Sequence, residues 1–252
     1  MIDPSQLGSS WTLCTDGRRL RAWGGLVGLL LLLVGAGTSP VRAQSLEVGL
    51  RAGTSFSTFR GNTEVLRRGT SYTLKWRTGV QVAGHVGVPL NDVLRLRPEL
   101  RFAQKGAIVE GTRPFSPPGT GGDAAIREPY RLSYLQLPVL LEARLPVGER
   151  VQASLLLGPA AALTLGTEID AAPASQTETI PESAVRDVAV GVSGGLELGY
   201  TLGPAGRVTL GTHYDVGLSA LTDNDDAAVE RGKEADVRNE AVVVSLGYTY
   251  SF

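Results

Sequence analysis

The C-terminal stretch Val242-Val243-Val244-Ser245-Leu246-Gly247-Tyr248-Thr249-Tyr250-Ser251-Phe252 decides the fold. Residues 242, 244, 246, 248, 250 and 252 are all apolar or aromatic, whereas 245, 247, 249 and 251 are small or polar. Successive side chains on a strand point to opposite faces, so this period of two predicts a β-strand with one apolar face.

Working back along the chain, the same alternation recurs. Val208, Leu210, Tyr214, Val216 and Leu218 oppose Arg207, Thr209, Gly211, His213 and Asp215; Val188, Val190, Val192, Leu196, Leu198 and Tyr200 oppose Asp187, Ser193, Glu197 and Thr201. Val151, Leu155, Leu157, Leu163 and Leu165 form one face of a fifth segment. In the fourth, Leu135, Leu137, Val139, Leu141 and Leu145 lie opposite Glu142 and Arg144; in the third, Leu94, Leu96, Leu100 and Phe102 oppose Arg95, Arg97, Glu99 and Arg101. The second sets Leu74, Trp76, Val80, Val82, Val86 and Val88 against Lys75, Arg77, Gln81 and His85. The first sets Leu46, Val48, Leu50 and Phe56 against Glu47, Arg51 and Ser55, which makes eight segments.

Their connections alternate strictly in length. Tight turns fall at Pro89-Leu90-Asn91-Asp92, Pro146-Val147-Gly148-Glu149 and Gly203-Pro204-Ala205-Gly206; long polar connections fall near 58–70, 112–128, 167–184 and 221–238. Outer-membrane barrels have short periplasmic turns, longer extracellular loops and an even strand count. The expected fold is therefore all-β, an eight-stranded antiparallel up-and-down transmembrane barrel located in the outer membrane. Phe252 on the apolar face, behind Tyr250 and Tyr248, fits a C-terminal assembly signal read by the barrel-assembly machinery. Tyr72, Trp76, Tyr130, Tyr134 and Tyr200 cluster near segment ends, where an interfacial aromatic girdle would need them. Closure also removes the strand edges that hydrocarbon does not tolerate. A soluble, lipocalin-like binding barrel is the alternative, with the two faces exchanged.

With the apolar face on lipid, the charges point into a lumen that eight strands make only wide enough for side chains to fill. The expected lumen network comprises Glu47, Arg51, Lys75, Arg77, Arg95, Arg97, Glu99, Arg101, Glu142, Arg144, Glu197, Arg207, His213 and Asp215. Buried charges must pair, so this network plugs the barrel, with its basic excess near water at the ends.

The N-terminus is set aside from fold reasoning as a targeting segment. Arg18, Arg19 and Arg21 precede an apolar run from Leu26 to Val34, and Val41-Arg42-Ala43 fits a signal-peptidase site. The run is short for a membrane span of about 20 residues. Residues 1–43 are thus read as a cleaved signal peptide, with an upstream start extension before Arg18, and 44–252 as the barrel domain. The single cysteine, Cys14, leaves with the signal, which excludes disulfides and thiolate chemistry in the remainder. A net charge of −1 with no basic block argues against a nucleic-acid partner.

Leu96-Arg97-Pro98-Glu99-Leu100-Arg101-Phe102-Ala103-Gln104-Lys105-Gly106 resembles the third-strand motif of the PorT-like outer-membrane β-barrel family, often labelled "porin family". Tyr134-Leu135-Gln136-Leu137-Pro138-Val139-Leu140-Leu141 resembles its fourth strand, and Leu157-Gly158-Pro159 with the small residues after it resembles its fifth. The resemblance covers the mature chain in order and implies an eight-stranded outer-membrane barrel. It carries no general catalytic residues; one branch of the family assists protein secretion.

Catalytic and metal signals are weak. His213 and Asp215 share a face and His85 lies on a polar face, but a hydrolase needs a third positioned group and substrate access. Asp223-Asn224-Asp225-Asp226 lacks the glycine and distal glutamate of an EF-hand loop, and Gly119-Thr120-Gly121-Gly122 lacks the lysine of a phosphate loop. No enzyme activity, metal or cofactor is expected. The expected role is structural or interactive in the cell envelope, with a narrow solute channel as the alternative. Expected partners are outer-membrane lipid, lipopolysaccharide and a protein at the extracellular loops.

Overall fold

A computed structural model of the chain describes residues 46–61, 72–115, 122–169, 187–220 and 237–252. Each alternating segment is a strand: β1 Glu47–Gly61, β2 Tyr72–Pro89, β3 Leu94–Phe115, β4 Gly122–Pro146, β5 Val151–Ile169, β6 Val188–Thr201, β7 Arg207–Gly217 and β8 Val237–Ser251. Every strand pairs antiparallel with its sequence neighbour, and β8 pairs with β1 to close the barrel. Closure runs the whole length of that seam, from Glu47 opposite Ser251 to Gly61 opposite Val237, and the Phe252 amide donates to the Leu46 carbonyl at 3.0 Å.

The charged face is inside. Arg97, Glu99 and Arg101 are each 1% exposed, whereas Leu50, Leu100 and Leu196 on the outer wall are 67%, 57% and 60% exposed. A soluble barrel has the opposite arrangement, so the lipocalin-like alternative fails on the direction of the side chains. The outer wall is apolar and belongs against lipid.

The three tight turns are held locally. In the β2–β3 turn, the Asn91 side-chain oxygen accepts the amides of Val93 at 2.9 Å and Leu94 at 2.7 Å, which is the reason asparagine suits the position. The β6–β7 turn is a short 3₁₀ turn over Gly203–Ala205 flanked by Gly203 at φ 69° and Gly206 at φ 103°. On the long-loop side the strands run further than their turn-forming residues predict. β3 and β4 are 22 and 25 residues long and stay paired to Phe115 opposite Gly122, so most of the expected 112–128 loop is a hairpin. Its last residues lie beyond the ends of the β2–β3 pairing at Tyr72–Gly111 and the β4–β5 pairing at Tyr130–Ile169. Pro114 falls within this paired stretch, opposite Asp123. Because about 9–11 residues cross a bilayer, this hairpin projects past the membrane. The expected signal peptide, Gly119–Gly121 and Asp223–Asp226 lie outside the described residues.

Between Trp76 and Gln81, β2 takes one more residue than β3 does between Ala107 and Ala103, a β-bulge that interrupts the ladder. Hydroxyls reaching over from β1 take up backbone groups freed there. Ser55 Oγ donates to the Gln104 carbonyl at 2.7 Å, and Ser57 Oγ donates to the Gly106 carbonyl at 2.9 Å and accepts its amide at 2.8 Å. Gly106 itself sits at φ 144°, and a Cβ there would lie 2.0 Å from the Tyr130 carbonyl oxygen. Replacing Gly106 by alanine is therefore expected to lower the stability of the folded barrel by about 1–3 kcal/mol, read as an earlier midpoint in urea unfolding. An unchanged midpoint would contradict the close approach.

Candidate functional site

The inward positions of β3 fall two residues apart, at Arg95, Arg97, Glu99, Arg101, Ala103 and Lys105, so one strand lays a column of charge along the lumen. Glu99 lies at its centre. Its carboxylate meets Arg51 Nη2 of β1 at 2.6 Å, Arg101 Nη2 at 2.8 Å and Arg97 Nε at 3.0 Å. Across the lumen, Glu197 of β6 accepts both terminal nitrogens of Arg97 at 2.7 and 3.1 Å, and Arg51 Nη1 at 3.3 Å. Towards the long loops, Asp215 of β7 accepts Arg101 Nη1 at 3.0 Å, Lys105 Nζ at 2.9 Å and Ser193 Oγ at 2.6 Å.

Towards the short turns, Arg144 of β4 holds Glu47 with both terminal nitrogens at 2.8 and 2.6 Å, and donates to Glu142 through Nε at 2.6 Å. Glu142 also accepts Ser154 Oγ at 3.0 Å. Arg97 lies 3.8 Å from Glu142 and joins the two groups. Contacts thus run without a break from Glu47 at one end to Asp215 past the middle.

Residues 42–223 match the outer membrane protein beta-barrel domain family. The chain belongs to that family. Its location is the outer membrane. Solved barrels resemble it at low identity. The attachment invasion locus protein Ail of Yersinia pestis is 15% identical with a TM-score of 0.39, covering 82% of this chain and 100% of its own. Neisserial surface protein A is 9% identical with a TM-score of 0.43, covering 80% and 96%, and OprG from Pseudomonas aeruginosa is 12% identical with a TM-score of 0.41, covering 81% and 95%. Among curated proteins, none matches the chain.

Within this outer-membrane barrel, Glu47, Arg51, Arg97, Glu99, Arg101, Glu142, Arg144, Glu197 and Asp215 form the continuous ionic cluster. Arg207 joins it at 3.3 Å from Glu47, and Arg95, near the rim, at 3.4 Å. His213 touches Arg51 and lies 3.3 Å from Glu197, whereas Asp215 is taken up by Arg101, Lys105 and Ser193. The two are not partners in a relay. His85 sits beside Arg97 at 3.4 Å and Thr249 at 3.3 Å. Arg77 faces inward and donates to the Lys105 carbonyl at 3.4 Å.

Lys75, expected in the lumen network, does not join it. It lies outside the lumen, with a side chain 56% exposed, and pairs with Glu110, which also meets Arg127 Nε at 3.4 Å. The β2 bulge is the cause. On its short-turn side, odd-numbered residues such as Arg77, Gln81 and His85 point inward; beyond it Leu74 packs inside, so Lys75 turns out. One extra residue exchanges the faces of everything that follows it.

Two tyrosines expected in an interfacial girdle lie elsewhere. Tyr134 is 2% exposed and points into the lumen, where its hydroxyl accepts Asn239 Nδ2 at 2.7 Å. Tyr130 stacks edge-on against Phe59 at 6.1 Å. With Ala107, Leu132, Ala162 and Val237 they make an apolar layer inside the barrel. Trp76 and Tyr200 are half exposed at 50% and 47%. Tyr248, Tyr250 and Phe252 lie on the outer wall; Tyr250 and Phe252 meet edge-on at 5.1 Å, and the Tyr248 hydroxyl donates to the Ala205 carbonyl of the β6–β7 turn.

Lys105, Ser154 and Ser193 are site residues that sequence reasoning missed. Lys105 had a signal, since it continues the period of two from Arg101 through Ala103. The alternation placed Ser193 on the same polar face as Glu197, but an uncharged hydroxyl does not announce that it meets a carboxylate, as Ser193 and Ser154 do.

Removing one member of a buried ion group leaves its partners charged and desolvated, at a cost of about 3–5 kcal/mol. Glu99→Gln, which takes the charge from among three arginines, is expected to destabilise the barrel by that amount in urea unfolding. Lys75→Gln is expected to leave the midpoint at its wild-type value. Equal effects for the two would contradict the assignment of inside and outside.

Proposed function

We propose that the protein is a closed, non-conducting and non-enzymatic barrel of the cell envelope, which stabilises the outer membrane and presents its connections to partners. The observation that supports this reading is the unbroken ionic cluster from Glu47 to Asp215, followed by the apolar layer around Phe59 and Tyr134. Successive plugs of opposite character leave a hydrated ion no continuous polar path. The non-enzymatic role rests on the same geometry: Glu99, Glu197 and Asp215 are each committed to arginine or lysine, and His213 is enclosed between Arg51 and Glu197.

The ordered motifs at 96–106, 134–141 and 157–159 favour the PorT-like branch of the family. In this reading residues 1–43 direct export and are cleaved. Tyr248, Tyr250 and Phe252 serve the barrel-assembly machinery, and the apolar wall contacts lipid and lipopolysaccharide. The β3–β4 hairpin is the natural place for a protein partner, because among the described residues its pairing runs furthest towards the long connections.

Planar-bilayer recording on the purified barrel tests the proposal. The expected trace is flat, with no unitary conductance steps. Discrete steps would overturn it in favour of a narrow channel for small solutes.

A further inference from the structure

A cavity of about 240 Å³ opens at the short-turn end of the lumen, lined by Arg95, Arg144, Arg207 and Glu47 and capped by the β6–β7 turn. Its charge is unbalanced. Arg144 binds Glu47 through two nitrogens, Arg207 approaches the same carboxylate at 3.3 Å and Arg95 at 3.4 Å, so three guanidiniums converge on one glutamate. Arg144 is further engaged by Glu142, and Arg207 Nη1 donates to Gln152 at 2.7 Å. Arg95 differs. Its Nη1 is buried and makes no hydrogen bond, only the 3.4 Å ion contact with the Glu47 carboxylate that Arg144 already occupies.

A buried donor whose one contact is a long ion pair with a shared carboxylate is incompletely satisfied, and the planar fork of arginine matches the oxygens of carboxylate and phosphate. The cavity far exceeds the roughly 10–15 Å³ that one water occupies. Low-dielectric walls around like charges focus the field on the mouth and raise the local concentration of anions. We propose that this mouth is a binding site for a small oxyanion, a phosphate or a carboxylate group. Arg95 and Arg207 supply the donors, and Glu47 acts as the internal competitor that the ligand partly displaces. The short turns surround the mouth, so the ligand comes from the periplasm. This site is independent of whether the barrel conducts.

Calorimetric titration of the refolded barrel in non-ionic detergent tests it, with inorganic phosphate and acetate as separate probes that distinguish the two sources of the anion. Saturable binding of at least one probe is expected. Arg95→Gln and Arg207→Gln should each weaken it roughly tenfold, the loss of one charge-assisted hydrogen bond. Glu47→Gln should strengthen it, a direction that a merely misfolded mouth would not produce. Lys75→Gln on the outer wall should bind as wild type. Arg95 lies near the rim, so its substitution leaves the closed barrel intact, and heat-dependent gel mobility verifies folding of each variant. Absence of saturable binding by both probes overturns the proposal, as does unchanged affinity in the two arginine variants.

Discussion

The carboxylate of Glu99 holds three guanidiniums at once, from Arg51, Arg97 and Arg101, in a space where none of the four side chains is more than 2% exposed. The outer wall takes its shape from that constraint. A barrel that turns its apolar side chains to lipid has only its lumen left for charge, and eight strands leave the lumen too narrow for bulk water. Each carboxylate must then be met by several donors, because desolvating an ion without compensation costs far more than packing an apolar group. Strands that are not neighbours in the wall are joined through these contacts: β1 to β3 by Arg51 and Glu99, β3 to β6 by Arg97 and Glu197, β3 to β7 by Arg101 and Asp215. The hydrogen-bonded wall closes the cylinder, and the ionic cluster braces it from within.

The lumen is layered rather than uniform. Its short-turn end carries Arg95, Arg144 and Arg207 against Glu47 and Glu142, its middle carries the Glu99 and Glu197 groups, and its far side changes to the apolar layer of Phe59, Leu132 and Tyr134. Charge excess therefore collects where water reaches it, at the mouth, while the middle is matched more closely. An interior built in this order is suited to rigidity, and it concentrates recognition at the rim and the connections.

Much of this was legible in the sequence because a strand's period of two is unforgiving. In β8, Val242 to Phe252 shows both faces at once, and in β3 the Arg95-Arg97-Glu99-Arg101 series announces a column of charge. The alternation of tight and long connections then fixes closure and the even strand count. What could not be read off depended on single-residue irregularities and on contacts between distant strands. Lys75 continues the phase of Arg77 in the sequence, and only the bulge before Gln81 turns it outward. The phase of β4 was legible and puts Tyr134 on the face of Glu142, inside; what hid this is that an aromatic residue near a strand end suits a girdle equally well. The polar stretch near 112–128 suggested a loop, whereas β3 and β4 stay paired as far as Phe115 opposite Gly122.

The lumen is a dry, mutually dependent ionic cluster. A double-mutant cycle on Lys105 and Asp215, whose charged atoms are 2.9 Å apart, tests it most directly. Urea unfolding of wild type, Lys105→Met, Asp215→Asn and the double variant gives the coupling energy. A closed ionic lumen predicts a coupling of about 1 kcal/mol or more, since the second substitution removes a charge that the first has stranded. Effects that add to within about 0.5 kcal/mol would mean that water screens the pair, and would contradict the account.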